Sequence, residues 1–187
     1  MKEKNLIVLL GRTASGKTTI AKYLCENYKY DFVVPYTTRP KRSNEVFGKD
    51  YYFASKNTFE QLEELDAFYA KSQFRGWKYG ISRNDIGQLN YPLAVADNLM
   101  LKDLLNRQDG INKIYIYIYR PDDDRYKTLV ERGTPECEIV RRWDDETIVW
   151  TNILSDINIP LNVVDNIGSL EDTVTKVLEV IAENTGG

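Results

Sequence analysis

Residues 11–18 read GRTASGKT, and these residue types at this spacing suit the holding of a polyphosphate. They satisfy the pattern G-x-x-x-x-G-K-[ST], in which each fixed position has a mechanical reason. Gly11 and Gly16 let the backbone curl until its N–H groups face phosphate oxygens. Lys17 has the reach and charge for the β- and γ-phosphates, and the Thr18 hydroxyl is suited to magnesium. Ser15 and Thr19 complete the expected ATP-phosphate set with Gly11, Gly16, Lys17 and Thr18. A helix beginning at Thr18 would point the positive end of its dipole at the same anion. The competing reading is a Gly-rich turn with an incidental lysine. Against it, an apolar run precedes the motif and a helical pattern follows, as the motif requires. ATP and magnesium are the expected cofactors.

Asp97 ends the apolar run PLAVAD. A carboxylate at the carboxyl end of a buried strand lies on the ligand side of an open α/β sheet, where it could support magnesium directly or through water. It is equally a favoured N-cap for a helix beginning at Asn98. Earlier in the chain, residues 37–53 read TTRPKRSNEVFGKDYYF. Arg39 and Arg42 supply planar forks that can grip a phosphate bidentately, and Tyr51 and Tyr79 supply hydroxyl donors. Taken alone, the RPKR stretch reads as well as a solvated basic loop.

The longer pattern resembles the guanylate kinase signature, a T-T-R-x-x-R segment followed by G-E-V-x-G-x-D-Y. Thr38, Arg39, Arg42, Glu45, Val46, Gly48, Asp50 and Tyr51 stand at the matching spacing. The GWKYG stretch of residues 76–80 resembles the family's G-N-Y-Y-G turn, and Arg132-Gly133 with Arg141 and Arg142 resembles its lid. The resemblance runs from about residue 5 to the C-terminus. It implies a P-loop α/β core with an acceptor-binding insertion and a lid. It implies that Arg39, Arg42, Tyr51 and Tyr79 hold the acceptor's phosphate, with Asp97 on the same side. It also implies that Lys17, Arg132, Arg141 and Arg142 offset charge on the phosphoryl group in transfer. The plainer alternative for Arg141 and Arg142 is a solvated helix face paired with Asp144, Asp145 and Glu146.

The base-reading positions depart from that family. Pro35 stands where a Ser is usual, Ala70 where a Glu accepts hydrogen bonds from guanine, Ile81 where a Ser or Thr is usual, and Val95 where the first of two aspartates is usual. An Arg usual four residues before the lid's Arg-Gly is Thr128 here, with Arg125 and Lys127 nearby. The lid also reads one residue short. The phosphate grip is thus complete while the guanine reader is largely absent, which predicts weak discrimination among bases.

These residues must be positioned by a β/α alternation. Residues 5–10, 91–96, 113–119 and 161–164 read as buried strands, and residues 18–28 and 169–183 as helices, the latter opened by a Ser169–Asp172 capping pair. Strands alternating with helices imply a parallel sheet covered on both faces. The tyrosines of KIYIYIY read as packing on that sheet, and Trp143 and Trp150, seven apart, as one core-facing helix stripe. Two stretches break the alternation. Residues 35–82 carry short aromatic strands and a turn-rich loop, giving an expected nucleoside monophosphate-binding insertion between core segments 1–34 and 83–187. Residues 132–146 are polar, of both charge signs, and read as a mobile loop or lid followed by a helix.

The 187 residues suffice for one well-buried core, and the composition, 42% hydrophobic and 28% charged, is that of a globular chain. A net charge of −3 gives no electrostatic case for nucleic acid. The absence of histidine removes the commonest general base and metal ligand. Cys25 and Cys137 form no metal-spaced pair and read as reduced thiols. The N-terminal apolar run is too short for a signal or a membrane span, so a cytoplasmic protein is expected, with oligomeric state open. Transfer of the γ-phosphoryl group of ATP to a nucleoside monophosphate is the leading expectation. A kinase for a sugar phosphate such as ribose bisphosphate, which needs no base reader, is the second. A catalytically inactive guanylate-kinase-like interaction module is the third, and the complete phosphate loop speaks against it.

Overall fold

The computed structural model describes residues 4–43, 45–156 and 158–185. In chain order the elements are β1 (Asn5–Leu10), α1 (Lys17–Asn27), β2 (Asp31–Phe32), β3 (Tyr36–Thr37), β4 (Tyr52–Phe53), α2 (Lys56–Glu64), β5 (Phe68–Phe74) and β6 (Trp77–Ser82). They continue with α3 (Arg83–Gln88), β7 (Pro92–Val95), α4 (Asn98–Leu105), β8 (Asn112–Tyr119), α5 (Asp122–Glu131), α6 (Glu136–Ser155), β9 (Leu161–Asp165) and α7 (Leu170–Thr185).

The main sheet is five-stranded in the order β2-β7-β1-β8-β9, and every pairing in it is parallel. A parallel sheet must be covered on both faces, and the period-two pattern of its strands shows how. Leu6, Val8 and Leu10 of β1 join Tyr115 and Tyr117 of β8 in a cluster with Met100, Leu101 and Leu104 of α4 and Trp150 of α6. Ile7 and Leu9 join Ile114, Ile116 and Ile118 in the opposite cluster with α1 and α7. The Ile/Tyr alternation of β8 therefore divides between the two faces: isoleucines go under α1 and α7, and Tyr115 and Tyr117 under the α4 side, where Tyr117 meets Trp150 at 5.0 Å, while Tyr119 at the strand's end is exposed.

The chain leaves β1 toward β2, returns to place β7 beside β1, then crosses to β8 on the other side. The loop after β1 thus sits where the strand order reverses, the place at which open α/β sheets receive ligands. Between β2 and β7 lies a second sheet, four-stranded in the order β4-β3-β6-β5 and mostly antiparallel, built from residues within 36–82. The 132–146 stretch is a loop followed by a helix, and the loop is short. Residues 132–135 alone are non-helical, and α6 starts at Glu136 as a 20-residue helix carrying Arg141 and Arg142. Pro135 at its N-cap fixes the entry, and Ile139, Trp143 and Trp150 give it a continuous inward stripe that extends the helix through the polar sequence.

Gly80 of β6 opposes the ring of Phe68, which stacks on Phe59 at 4.4 Å. A Cβ on Gly80 would come within 2.5–2.9 Å of that ring. Gly80→Ala should therefore destabilise the protein by about 1–3 kcal/mol through overpacking. Gly87→Ala, on α3 with open space around it, should be neutral or slightly stabilising. Urea unfolding of the two variants checks the contrast.

Candidate active site

The loop between β1 and α1 adopts a conformation that its glycines make possible. Gly11 has φ 141° and Gly16 φ 98°, and Ala14 also sits in the left-handed region at 63°. A Cβ on Gly11 would meet the Ile118 carbonyl oxygen at 2.6 Å and the Ser15 hydroxyl at 2.8 Å. One on Gly16 would run into the Asn166 side chain. Asn166, at the end of β9, donates to the Ser15 carbonyl at 2.8 Å and accepts from the Thr173 hydroxyl at 3.0 Å, bracing the loop from behind. Gly16 caps α1 without any side-chain bond to the first-turn N–H groups, which stay available to an anion.

Lys17 curls back over the loop. Its ammonium donates to the carbonyls of Gly11 and Arg12, each at 2.8 Å. Burial lowers its pKa from 10.5 to about 8. Glu146 and Asp97 oppose that shift, and Arg125 and Arg132 reinforce it. Thr18 and Thr19 are exposed and line a cleft of about 810 Å³. The loop therefore fits the phosphates of a nucleotide. Among the described residues no group of three or more carboxylates, thiols or imidazoles could hold a metal. Magnesium here would be held by the Thr18 hydroxyl and otherwise by phosphate and water.

Asp97 is the N-cap of α4: one carboxylate oxygen accepts from the N–H groups of Leu99 at 3.0 Å and Met100 at 2.8 Å, the other from the Ser72 hydroxyl at 2.7 Å. Both oxygens accept hydrogen bonds, and its charge reaches Lys17.

Across the cleft, Glu45 organises the basic loop. It accepts from Arg39 Nη2 at 2.6 Å and from the Arg42 N–H at 2.8 Å, and the Arg42 guanidinium is 3.8 Å away. Burial works against its charge, but these donors hold Glu45 below the usual carboxylate range. Arg39 packs over the Tyr51 ring at 5.3 Å, and Tyr51 meets Tyr79 edge-on at 6.2 Å. Arg39 is 12% exposed and Arg42 58%. Asp50 accepts from Lys22 of α1 at 2.7 Å, which ties the 36–82 segment to the core.

From the third side come Arg132, after α5, and Arg142, on α6. Arg142 is held by Glu138, which also accepts from Arg75 at the β5–β6 turn at 3.0 Å. Arg132 has no carboxylate partner among the described residues. Burial, then the charges of Arg42, Arg120 and Arg142, lower its pKa. Thr18, Thr19, Arg42, Tyr51, Arg132 and Arg142 thus share one cleft. Arg39 and Tyr79 pack against Tyr51 without lining it, and Arg141 is exposed and does not line it either.

Sequence reasoning missed a cluster beside the loop. Arg125, 1% exposed, donates to the Thr13 carbonyl at 2.9 Å, to Asp122 at 2.8 Å and to Glu146 at 3.1 Å. It lies 4.3 Å from the Trp143 ring. The alternative that pairs Glu146 with Arg141 and Arg142 on a solvated face does not hold for Glu146, which faces inward. The available signal was position: Glu146 falls on the stripe of Ile139, Trp143 and Trp150, and a carboxylate on an apolar stripe needs a buried cation. Of the positions that replace guanine readers, Pro35 and Val95 line the cleft. Ala70 and Ile81, 1% and 0% exposed, are in the core.

A glycine-shaped phosphate loop at the switch point of a parallel sheet, with arginines converging on it from two other segments, defines a P-loop phosphotransferase. The family model for guanylate kinase matches residues 3–184, so the chain belongs to the guanylate kinase family. The guanylate kinase of Clostridium tetani is 31% identical over 137 residues, covering 72% of this chain and 66% of that protein. That of Thermotoga maritima is 29% identical over 181 residues, covering 94% of this chain and 85% of that protein. The crystal structure of guanylate kinase from Anaplasma phagocytophilum superposes with a TM-score of 0.70 over 99% of this chain and 88% of that one, at 18% identity, and shows the shared fold. Among the described residues no helix is long and apolar enough to cross a membrane.

The Lys17 pKa of about 8 has a measurable consequence. Well below pH 8 the ammonium is charged whether or not phosphate is bound. As pH rises through 8 the free enzyme loses that proton, whereas a polyphosphate beside it keeps the charge. Binding of an ATP analogue at pH 8–8.5 should therefore take up a fraction of a proton, and at pH 6.5 almost none. Calorimetry in buffers of different ionisation enthalpy measures this. Lys17→Ala should abolish the uptake together with most turnover.

Proposed function

We propose that the chain transfers the γ-phosphoryl group of ATP to the phosphate of a nucleoside monophosphate whose base it reads weakly. The observation that carries this is the shared cleft: Thr18 and Thr19 of the phosphate loop face Arg42 and Tyr51 of the 35–82 segment and Arg132 and Arg142 of the 132–146 segment across one space. In this reading, residues 35–82 receive the acceptor, residues 132–146 close over the transferring group, and 1–34 with 83–187 form the core.

The acceptor phosphate is already an anion, so no protein nucleophile and no histidine base are required. What the chain supplies is position and charge. Lys17, fixed by its own loop carbonyls, meets the β- and γ-phosphates. Arg39 and Arg42, set by Glu45, hold the acceptor phosphate with Tyr51 and Tyr79. Arg132 and Arg142 face the transferring group from the side, with Arg141 on the same helix nearer solvent. The Thr18 hydroxyl would hold magnesium, with Asp97 supporting it through water, and the ion would supply charge neutralisation to the phosphates. Asp97 adds negative potential near Lys17 and holds the start of α4 in place.

Arg39 and Arg42 separate the two halves of the site. Arg39→Ala should lower kcat/KM for the acceptor by roughly 10- to 100-fold, since it removes a nearly buried, charge-assisted fork. Arg42→Ala should cost less, because Arg42 is largely exposed. Both should leave KM for ATP near the unmodified value. Loss of ATP affinity with unchanged acceptor kinetics would reverse the assignment.

Base discrimination follows from Pro35 and Val95 lining the cleft where polar readers are usual. Apolar contacts separate similar ligands by only about 10- to 200-fold. Equimolar competition among ribo- and deoxynucleoside monophosphates should therefore show modest ratios, and a preference for GMP above about a thousandfold would contradict this pocket. Ala70→Glu, the obvious restoration, would put a carboxylate at a 1% exposed core position and should destabilise the protein instead of sharpening selection. The same competition, with ribose bisphosphate added, tests the sugar-phosphate reading that a base-indifferent pocket also suits.

A further inference from the structure

We propose that Glu146, with Arg125 behind it, is a positioning residue for the phosphate loop, one that fixes Thr13 by all of its polar atoms and ties α6 to the seat of the donor's phosphates. The contacts are specific. The Thr13 N–H donates to Glu146 Oε2 at 2.9 Å, the Thr13 hydroxyl donates to the other carboxylate oxygen, and the Thr13 carbonyl accepts from Arg125 Nε at 2.9 Å. Arg125 closes the ring by donating to Glu146 at 3.1 Å. Its remaining nitrogen goes to Asp122, which also accepts from Arg12 at 3.1 Å and from the Trp143 indole at 3.2 Å. Trp143 lies against both arginines, at 5.7 Å from Arg12 and 4.3 Å from Arg125. Arg12, Thr13, Asp122, Arg125, Trp143 and Glu146 thus form one network joining the loop, α5 and α6.

A buried ion pair is a poor way to stabilise a fold, because desolvation offsets most of the attraction. It is a good way to fix a geometry, because its hydrogen bonds are directional. The geometry in need of fixing is the adjacent one. Ala14 follows Thr13 at φ 63°, a conformation that a side chain resists unless its neighbours impose it. Lys17 in turn takes its position from the carbonyls of Gly11 and Arg12, on the other side of Thr13. A loop released at Thr13 would lose the register of its N–H groups and of Lys17 together. The inference rests on the reading of this loop as the seat of ATP.

Steady-state kinetics with ATP and the best monophosphate acceptor test the clamp. Glu146→Ala should raise KM for ATP by about 10- to 100-fold, the scale of a misplaced contact, while KM for the acceptor stays within about twofold. Glu146→Gln keeps an oxygen for the Thr13 N–H and should recover most of the loss. If Glu146→Ala does not fold, Thr13→Val with Glu146→Gln carries the test, with the valine variant showing the selective rise in KM for ATP. Unchanged KM for ATP in folded variants, or equal effects on both substrates, would overturn the clamp while leaving the ATP reading intact. An unmodified protein that turns over no ATP would remove both.

Discussion

Everything in this molecule is arranged around an ammonium group that has been taken out of water. Lys17 curls over a loop whose carbonyl oxygens it bonds, and burial, only partly offset by nearby charges, brings its pKa down to about 8. A cation in that position is unfavourable unless negative charge is placed near it. The fold supplies part of that charge at a distance, through Glu146 on α6 and Asp97 after β7. Neither is positioned to pair with it directly, as both are committed to Thr13 and to the α4 N-terminus. The ammonium is thereby left favouring a further anion, and the uncapped N–H groups of α1 favour the same one.

The parallel sheet follows from this constraint. β1 must be fully buried to deliver the loop at its carboxyl end, and Leu6–Leu10 is apolar without a break, so both faces can be covered. The neighbouring strands end on the same side because they are parallel. Ile118 of β8 closes against Gly11, Asn166 after β9 braces Ser15, and Asp97 after β7 directs its charge toward Lys17. Three strand ends thus fix one loop, and the order β2-β7-β1-β8-β9 brings them together.

Much of this was legible in the sequence. The loop announced itself because its glycines answer a local steric need, and four of the five parallel strands because burial leaves apolar runs; β2, two half-buried residues, left no such run. The Asp97 cap was an open alternative, and the structure favours it. Less legible were interactions in which chemistry and sequence distance part company. Glu146 lies close in sequence to Arg141 and Arg142, and helical spacing suggested that pairing. Its partner is Arg125 on another helix, because the Trp143 stripe turns that face of α6 inward. Arg142 bonds Glu138 one turn earlier. Helical spacing names the candidates on one helix, but packing decides which face sees solvent. Thr128, where the family resemblance leads one to expect an arginine, bonds the Asp124 carbonyl within α5. The buried cation stands nearly one turn earlier, at Arg125.

The arginines of the cleft raise a question of balance. Burial first, and then the charges of Arg42, Arg142 and nearby Arg120, lower the pKa of Arg132. Such a cluster repels itself and would splay if left to solvent. Two carboxylates restrain two of its members, Glu45 holding Arg42 together with Arg39 and Glu138 holding Arg142 together with Arg75. A phosphate entering the cleft therefore meets two guanidinium groups, Arg42 and Arg142, already held in place, so little of their conformational entropy remains to be lost. It must also compete with a carboxylate for the same forks, so its gain is the difference between two charge-assisted hydrogen-bond sets and not the whole of one. That difference is small for a phosphate bound at either end and grows as charge spreads over the oxygens of the group in flight. Under the proposed transfer, restrained and partly satisfied arginines would hold the bound ends moderately and reserve their strongest interaction for the transfer itself.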